Sequence, residues 1–233
     1  MSTITQVGEL IVTAAELNPV IIDIPSGAQE DDLIVGFTTG YAGDGASGIT
    51  PPAGLSFAWS PVLNQSESSE GDGQLNTWAF GFFLPSSPAS SYSMNINPND
   101  FTEFIIAVCL RGVSRTTPLN GGAGAPTINA SVPPSPGTAI SWPALTTAVA
   151  DEYVLAWLFG DDTTLATTPV GYTTLANNYY NGAFMALFSN LQTVPGSTGT
   201  LTATYTAPDD WNTILLALIP SQPNDVVFSA MNF

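Results

Sequence analysis

The sequence predicts an all-β chain: two tandem antiparallel β-sandwich domains, jelly-roll-like, that arose by internal duplication. Three observations predict it. Short runs rich in Val, Ile, Leu, Phe and Trp are bracketed by Pro, Gly and Asn clusters, the punctuation of strands and turns. Charged residues make up 9% of the 233, against roughly 25% in ordinary globular domains. Ser, Thr, Asn, Gly and Pro fill the polar surface instead, whereas solvent-facing helices draw on Glu, Lys and Arg. Finally, the chain repeats itself: "PNDFTEFIIAV" (Pro98–Val108) returns as "PDDWNTILLAL" (Pro208–Leu218).

The elements follow in order. Residues 1–17 form an N-terminal arm that contains "GELIVTA" (Gly8–Ala14). The first sandwich, residues 18–116, opens with "VIIDIP" (Val20–Pro25), continues through the apolar runs "DLIVGF" and "TWAFGFF" and the alternating "SYSMNIN", and closes on "FIIAVCL". A three-turn helix over "TEFIIAVCLRGV" (Thr102–Val113) is the competing reading; the segment is apolar all round and β-branched, which favours a buried strand. Residues 117–137 are a linker rich in Gly and Pro with some extended stretches. The second sandwich, residues 138–221, opens with "TAISWP" (Thr138–Pro143), carries "YVLAWLF", "AFMALF" and "TLTATYT", and closes on "TILLALI". Residues 222–233 are a C-terminal tail.

The repetition extends to five blocks in one order. "QEDDLIVGFTTG" (Gln29–Gly40) matches "VADEYVLAWLFG" (Val149–Gly160), and "ITPPAGLSF" (Ile49–Phe57) matches "TTPVGYTTL" (Thr167–Leu175). "NTWAFGFFLP" (Asn76–Pro85) matches "NGAFMALFSN" (Asn181–Asn190), and "SYSMNINPNDF" (Ser91–Phe101) matches "LTATYTAPDDW" (Leu201–Trp211). The acidic insert "NQSESSEGDGQ" (Asn64–Gln74) lengthens the first copy. The repeated Pro-x-Asp-aromatic and TPxxG elements read as turns: Pro ends a strand, Asp caps a turn, and Gly takes the dihedral that other residues resist.

Charge narrows the partners. Nineteen acids face two bases, Arg111 and Arg115, for a net charge of −17. That balance repels nucleic acid and disfavours anionic membranes. No run approaches the ~18 apolar residues of a membrane-spanning helix, and the first residues lack the basic region of a secretory signal. The protein is expected to be made in the cytosol and used without Sec export. Cys109 is the single cysteine, set in an apolar run, so a disulfide framework is excluded and a buried thiol is expected.

Catalytic chemistry finds little to use. With no His and no Lys, the sequence holds no Ser-His-Asp or Cys-His arrangement and no Schiff-base lysine. Carboxylate pairs remain: Asp31–Asp32, Asp151–Glu152, Asp161–Asp162 and Asp209–Asp210. Adjacent strand residues face opposite ways, so these pairs read as solvated turns, and the chain reads as non-enzymatic. "GDGASG" (Gly43–Gly48), "SEGDGQ" (Ser69–Gln74) and "GDDTT" (Gly160–Thr164) offer oxygen ligands for calcium without a calcium-loop spacing, so no metal or cofactor is expected. Two groups are candidates for contact. Tyr179 and Tyr180, in the apparent loop "NNYYNG", suit stacking on a glycan or packing on a partner. Val226, Val227, Phe228, Met231 and Phe233 make the tail apolar, either as a strand returning onto its own domain or as a segment docking on a partner.

The order "DDLIVGF", "TPPAG", "WAFGFFLP", "FIIAVCLRGV" resembles a β-sandwich module of tailed-phage virion proteins and related bacterial surface proteins. The first copy carries the pattern at Asp31–Val35, Thr50–Gly54 and Ala107–Val113; the second departs from it, with "TTPVG" lacking the second Pro and "LALIPS" lacking Arg-Gly. The resemblance implies a virion structural role: a capsid decoration or cement protein on the outer head surface, contacting the major capsid protein or other virion proteins. It also implies a homo-oligomer, with a trimer the expected symmetry. A tail-fibre or baseplate adhesin that binds host glycans is the alternative.

Overall fold

The computed structural model describes residues 3–14, 19–42, 48–67, 74–96, 100–121, 126–130, 137–161, 164–180 and 183–222. Among these residues every regular element is a strand, and every strand pair is antiparallel. None forms a helix long and apolar enough to cross a membrane.

A first large sheet is centred on β4 (Leu33–Ala42). β9 (Asp100–Arg111) lies on one side of it, and β7 (Gln74–Phe83) with β6 (Val62–Glu67) on the other. β1 (Thr5–Gln6) and β2 (Ile11–Ala14) pair successively along the outer edge of β9. A small sheet orders β3 (Val20–Asp23), β8 (Ser91–Ile96) and β5 (Ile49–Thr50).

The second large sheet orders β10 (Thr127–Ala130), β19 (Trp211–Leu218), β13 (Glu152–Asp161), β16 (Ala183–Gln192) and β15 (Thr173–Tyr180). Its small companion orders β11 (Gly137–Trp142), β18 (Leu201–Asp209) and β14 (Leu165–Thr167). β12 (Thr146–Thr147) and β17 (Gly196–Ser197) pair separately. The strand orders of the two halves match position by position.

Three cores explain why the central strands are apolar without alternation. One lies between the first large sheet and its small sheet, where Ile34, Phe80, Phe82, Ile105, Ala107 and Cys109 meet Val20, Ile22 and Met94. Another joins the second large sheet to its small sheet, with Val154, Leu158 and Phe188 against Trp142, Ile140 and Tyr205. The third lies between the two large sheets themselves: Val35, Phe37, Ile106 and Val108 face Leu155, Trp157, Leu187 and Ile214. Each large sheet is therefore covered on both faces. A strand buried on both sides cannot alternate, which is why all eight residues of β19 are buried. The two halves are joined through this shared core and are not separate domains on a tether.

The segments expected to be arm and linker belong to the sheets. β1 and β2, in the arm, form the edge of the first large sheet, and β10, in the linker, forms the matching edge of the second. Asn129 of β10 donates to the Ser141 hydroxyl at 2.8 Å, and Thr213 donates to the Asn129 carbonyl at 3.2 Å. These polar edge bonds leave no apolar periodicity, so composition alone resembled a linker.

The two halves share a direction as well as a core. Phe37 on β4 lies against Trp157 on β13. Farther along, Asn64, in the row of Thr77 and Thr39, donates to the carbonyls of Asn129 (2.7 Å) and Thr213 (3.0 Å), the latter in the row of Leu158. At the opposite end Val113 bridges Pro220, and the Ser114 amide donates to the Ile219 carbonyl at 2.8 Å. β4 and β13 thus run the same way. The described chain ends, near Thr5 and Gln222, gather at the strand-start end, since Thr5 pairs with Arg111 and the Ser221 amide bonds the Gly112 carbonyl. The β6–β7, β15–β16 and β18–β19 reversals lie at the other end.

Candidate functional site

The strand-start end carries the best-defined cluster of charged side chains. Asp31 and Asp151 both take positive φ, 65° and 63°, turning the chain into β4 and β13. The acids that follow them are not solvated as expected. Asp32 and Glu152 are buried, at 1% and 0% exposure. A buried carboxylate needs hydrogen bonds to replace its water, and both take them from the preceding loop. The Gln29 amide donates to Asp32 Oδ2 at 2.8 Å. The Ala148 and Val149 amides donate to Glu152 Oε1 at 2.6 and 2.8 Å.

The remaining donors differ between the halves. Arg111 grips Asp32 with two nearly parallel bonds, Nε to Oδ1 at 2.9 Å and Nη2 to Oδ2 at 2.8 Å, and Nη2 also reaches the Gly27 carbonyl at 2.9 Å. This fork is the geometry for which arginine is suited, and the hydrogen bond to Asp32 raises the already high Arg111 pKa further. The second half has no arginine there. Asn120 Nδ2 instead donates to Glu152 Oε2 at 3.1 Å, to Oε1 at 3.3 Å and to the Thr146 carbonyl at 2.8 Å. Arg115 pairs with Asp31 and lies over the Phe83 ring at 5.8 Å. Both bases of the chain are thus committed to one Asp-Asp pair, and the motifs "DDL" and "LRGV" are two halves of a single clamp.

Tyr179 and Tyr180 do not sit in a loop. They end β15, opposite Phe184 and Ala183 of β16. Tyr179 is 52% exposed on the free edge of the second large sheet. Pro208 lies within β18 and does not end it, and the turn is capped by Asp209, whose Oδ1 accepts from the Asp210 amide at 2.8 Å. The TPxxG turns close as expected: Leu55 N bonds Pro52 O and Tyr172 N bonds Pro169 O, with Gly54 and Gly171 at φ of 79° and 83°. Pro169 therefore holds the place of Pro52, and the proline without a counterpart in the second half is the first, Pro51, not the second as expected.

The tail residues Val226, Val227, Phe228, Met231 and Phe233 lie outside the described residues, as do residues 43–47, 68–73 and 162–163 of the acidic loops. Among the described residues no group of three or more acidic, His or Cys side chains is placed to hold a metal. An open furrow of about 480 Å³ runs between Gly8–Val12 and Asp23–Ser26 at the edge of the first half, with Glu9 and Asp23 on its walls.

Comparison with family models, with curated proteins and with solved structures returns no match to this chain. The reading below therefore rests on the geometry and on the motif resemblance.

Proposed function

We propose that this chain is a non-enzymatic structural protein of a tailed-phage virion: a capsid decoration or cement protein on the outer head surface, assembled as a homo-oligomer, a trimer, on the major capsid protein or another virion protein. In this reading it is a duplicated pair of jelly-roll-like β-sandwiches, each a large sheet with its small sheet. The copies are divided at residues 114–119, with β1–β2 and β10 as equivalent first strands. The matching strand orders, the paired positive-φ aspartates and the equivalent buried acids Asp32 and Glu152 support the duplication.

One observation carries the role. The first and last described residues, near Thr5 and Ser221, lie together at the clamp end, while the facing ends of β6 and β7 and of β15 and β16, and the β18–β19 turn, lie at the far end. A body of this polarity, bound through its terminal segments, presents the far end outward. The clamp residues that carry the motif resemblance hold the strand starts together, a mechanical task that suits a static shell component. Immunogold labelling of purified particles tests the location: gold across the head supports decoration, and unlabelled particles reject it. Deleting Asn224–Phe233 is expected to abolish particle association; full binding by the truncated chain would remove the tail from the anchoring role. Tyr179, half-exposed on the β15 edge, favours the adhesin as second reading. Gold at the tail tip and loss of glycan binding in Tyr179→Ala would select it.

A further inference from the structure

We infer that the chain is a covalently joined dimer: its two repeats meet through equivalent faces of their large sheets, about a local two-fold axis that runs parallel to the strands between Phe37 and Trp157. The inference rests on the duplication, not on the virion role. Counting from the positive-φ aspartates, Phe37 and Trp157 are the same position, six residues on in each half. They stack on each other, ring centroids 5.0 Å apart and planes 9° from parallel. A residue that meets its own equivalent marks the axis of an isologous interface, in which every other contact must occur twice in reciprocal form. On one flank the contact is direct. β6 of the first half, through Asn64, touches β10 and β19 of the second. In the second half β15 holds the place of β6, and its Ala176 belongs to the core between the large sheets together with Ile4, beside β1 in the place of β10. Lateral order reverses across the interface while strand direction is kept, and a two-fold parallel to the strands has that effect.

The surface buried here is therefore self-complementary, and its partner is a second copy of the same unit; in this protein the second copy is supplied by the same chain. The test uses the full-length protein. On an axis, exchanging the two residues recreates the same pair in the same place. Phe37→Trp and Trp157→Phe are each expected to lower the urea midpoint, and the double exchange to return it to the wild-type value. A double variant as impaired as the two single losses combined would overturn the axis. Should a single variant fail to fold, a second measurement decides. A protease site is inserted between Gly121 and Pro126 and the protein is cleaved there without denaturant. The halves are expected to co-elute at the volume of the uncut chain, and to re-form that particle when unfolded and refolded together. Halves that part on cleavage would overturn the inference. Neither experiment depends on particles, so immunogold can fail while the interface stands, and the reverse.

Discussion

Glu152→Ala is expected to be among the most damaging single changes in the second half, although the residue touches no base. Three donors converge on this carboxylate: the Ala148 and Val149 amides and Asn120 Nδ2. Alanine leaves all three facing a cavity from which water is largely excluded, because the side chain is fully buried. At about 1–2 kcal/mol for each donor left unpaired, less for the part-buried Ala148 and Val149 amides, the loss is about 3–4 kcal/mol, a large share of the roughly 5–15 kcal/mol that holds a domain folded. Glu152→Gln keeps one oxygen for the two amides but turns an NH2 toward Asn120 Nδ2. Neutral bonds replace charge-assisted ones about twice as strong, so about 2 kcal/mol is expected.

Urea denaturation followed by tryptophan fluorescence reads both. With a slope near 2.5 kcal/mol per molar, the midpoint falls by ~1.5 M for the alanine variant and ~0.8 M for the glutamine variant. The slope itself should stay unchanged. A loss under about 0.5 kcal/mol for Glu152→Ala, the size of an ordinary surface substitution, would show that the acid is solvated and does not organise the turn into β13.

Other changes probe separate parts of the fold. A Cβ on Gly160 would lie 1.8 Å from the Tyr205 hydroxyl, so Gly160→Ala should cost about 3 kcal/mol by overpacking; adding Tyr205→Phe should recover part of it in the same urea assay. The Thr77 hydroxyl is buried with no hydrogen-bond partner, so Thr77→Val, which keeps the shape, should stabilise by about 1 kcal/mol and raise the melting temperature. The Cys109 thiol is pushed up to about 12, first by burial, then by the Asp32 carboxylate, with Arg111 opposing. The folded state therefore holds this proton where the unfolded chain has released it, and stability should fall above pH 9 by about 1.4 kcal/mol per pH unit. Cys109→Ala removes that slope between pH 9 and 10, which denaturation over that range measures; above pH 10 the Tyr172 phenol, also pushed up to about 12 by burial, adds a slope of the same sign.

Strand existence was legible because turn chemistry and β-branched runs are local signals. "VIIDIP" and "TAISWP" mark β3 and β11 to within two residues at each end. Register was not legible. The sheets place Leu218 against Tyr153 as they place Leu110 against Leu33, whereas the echo "PNDFTEFIIAV" and "PDDWNTILLAL" aligns Leu218 with Val108. One residue of this two-residue offset is a bulge in β9 beside Glu103, where Thr39 pairs with Phe104 but Gly40 with Thr102. A shift of two keeps every side chain on its face, so the echo survived. The block "NTWAFGFFLP" is off by three, which inverts the faces: the sheets align Ala79 with Leu187, not with Phe184. Apolar runs buried on both sides carry no phase with which to detect such a slip.

The same loss of phase hid the clamp. Acid pairs at turns usually face water, and nothing local distinguishes Asp32 from Asp31. The distinguishing signal lay 79 residues away, in Arg111. Arg111 takes the buried acid and Arg115 the exposed one, Asp31, so the presence of two arginines does not by itself tell the two acids apart. In the second half the arginine is absent, yet the buried acid persists as Glu152, one methylene longer, reaching two amides and Asn120. The structural requirement common to both halves is thus a buried carboxylate that gathers the amides of the entering turn; the identity of its side-chain donor is secondary. It follows that Asp32→Glu and Glu152→Asp should each fail in their own half, because carboxylate reach is matched to a different donor set. Urea midpoints test this directly: if either exchange is neutral, the two clamps are looser than their hydrogen bonds imply.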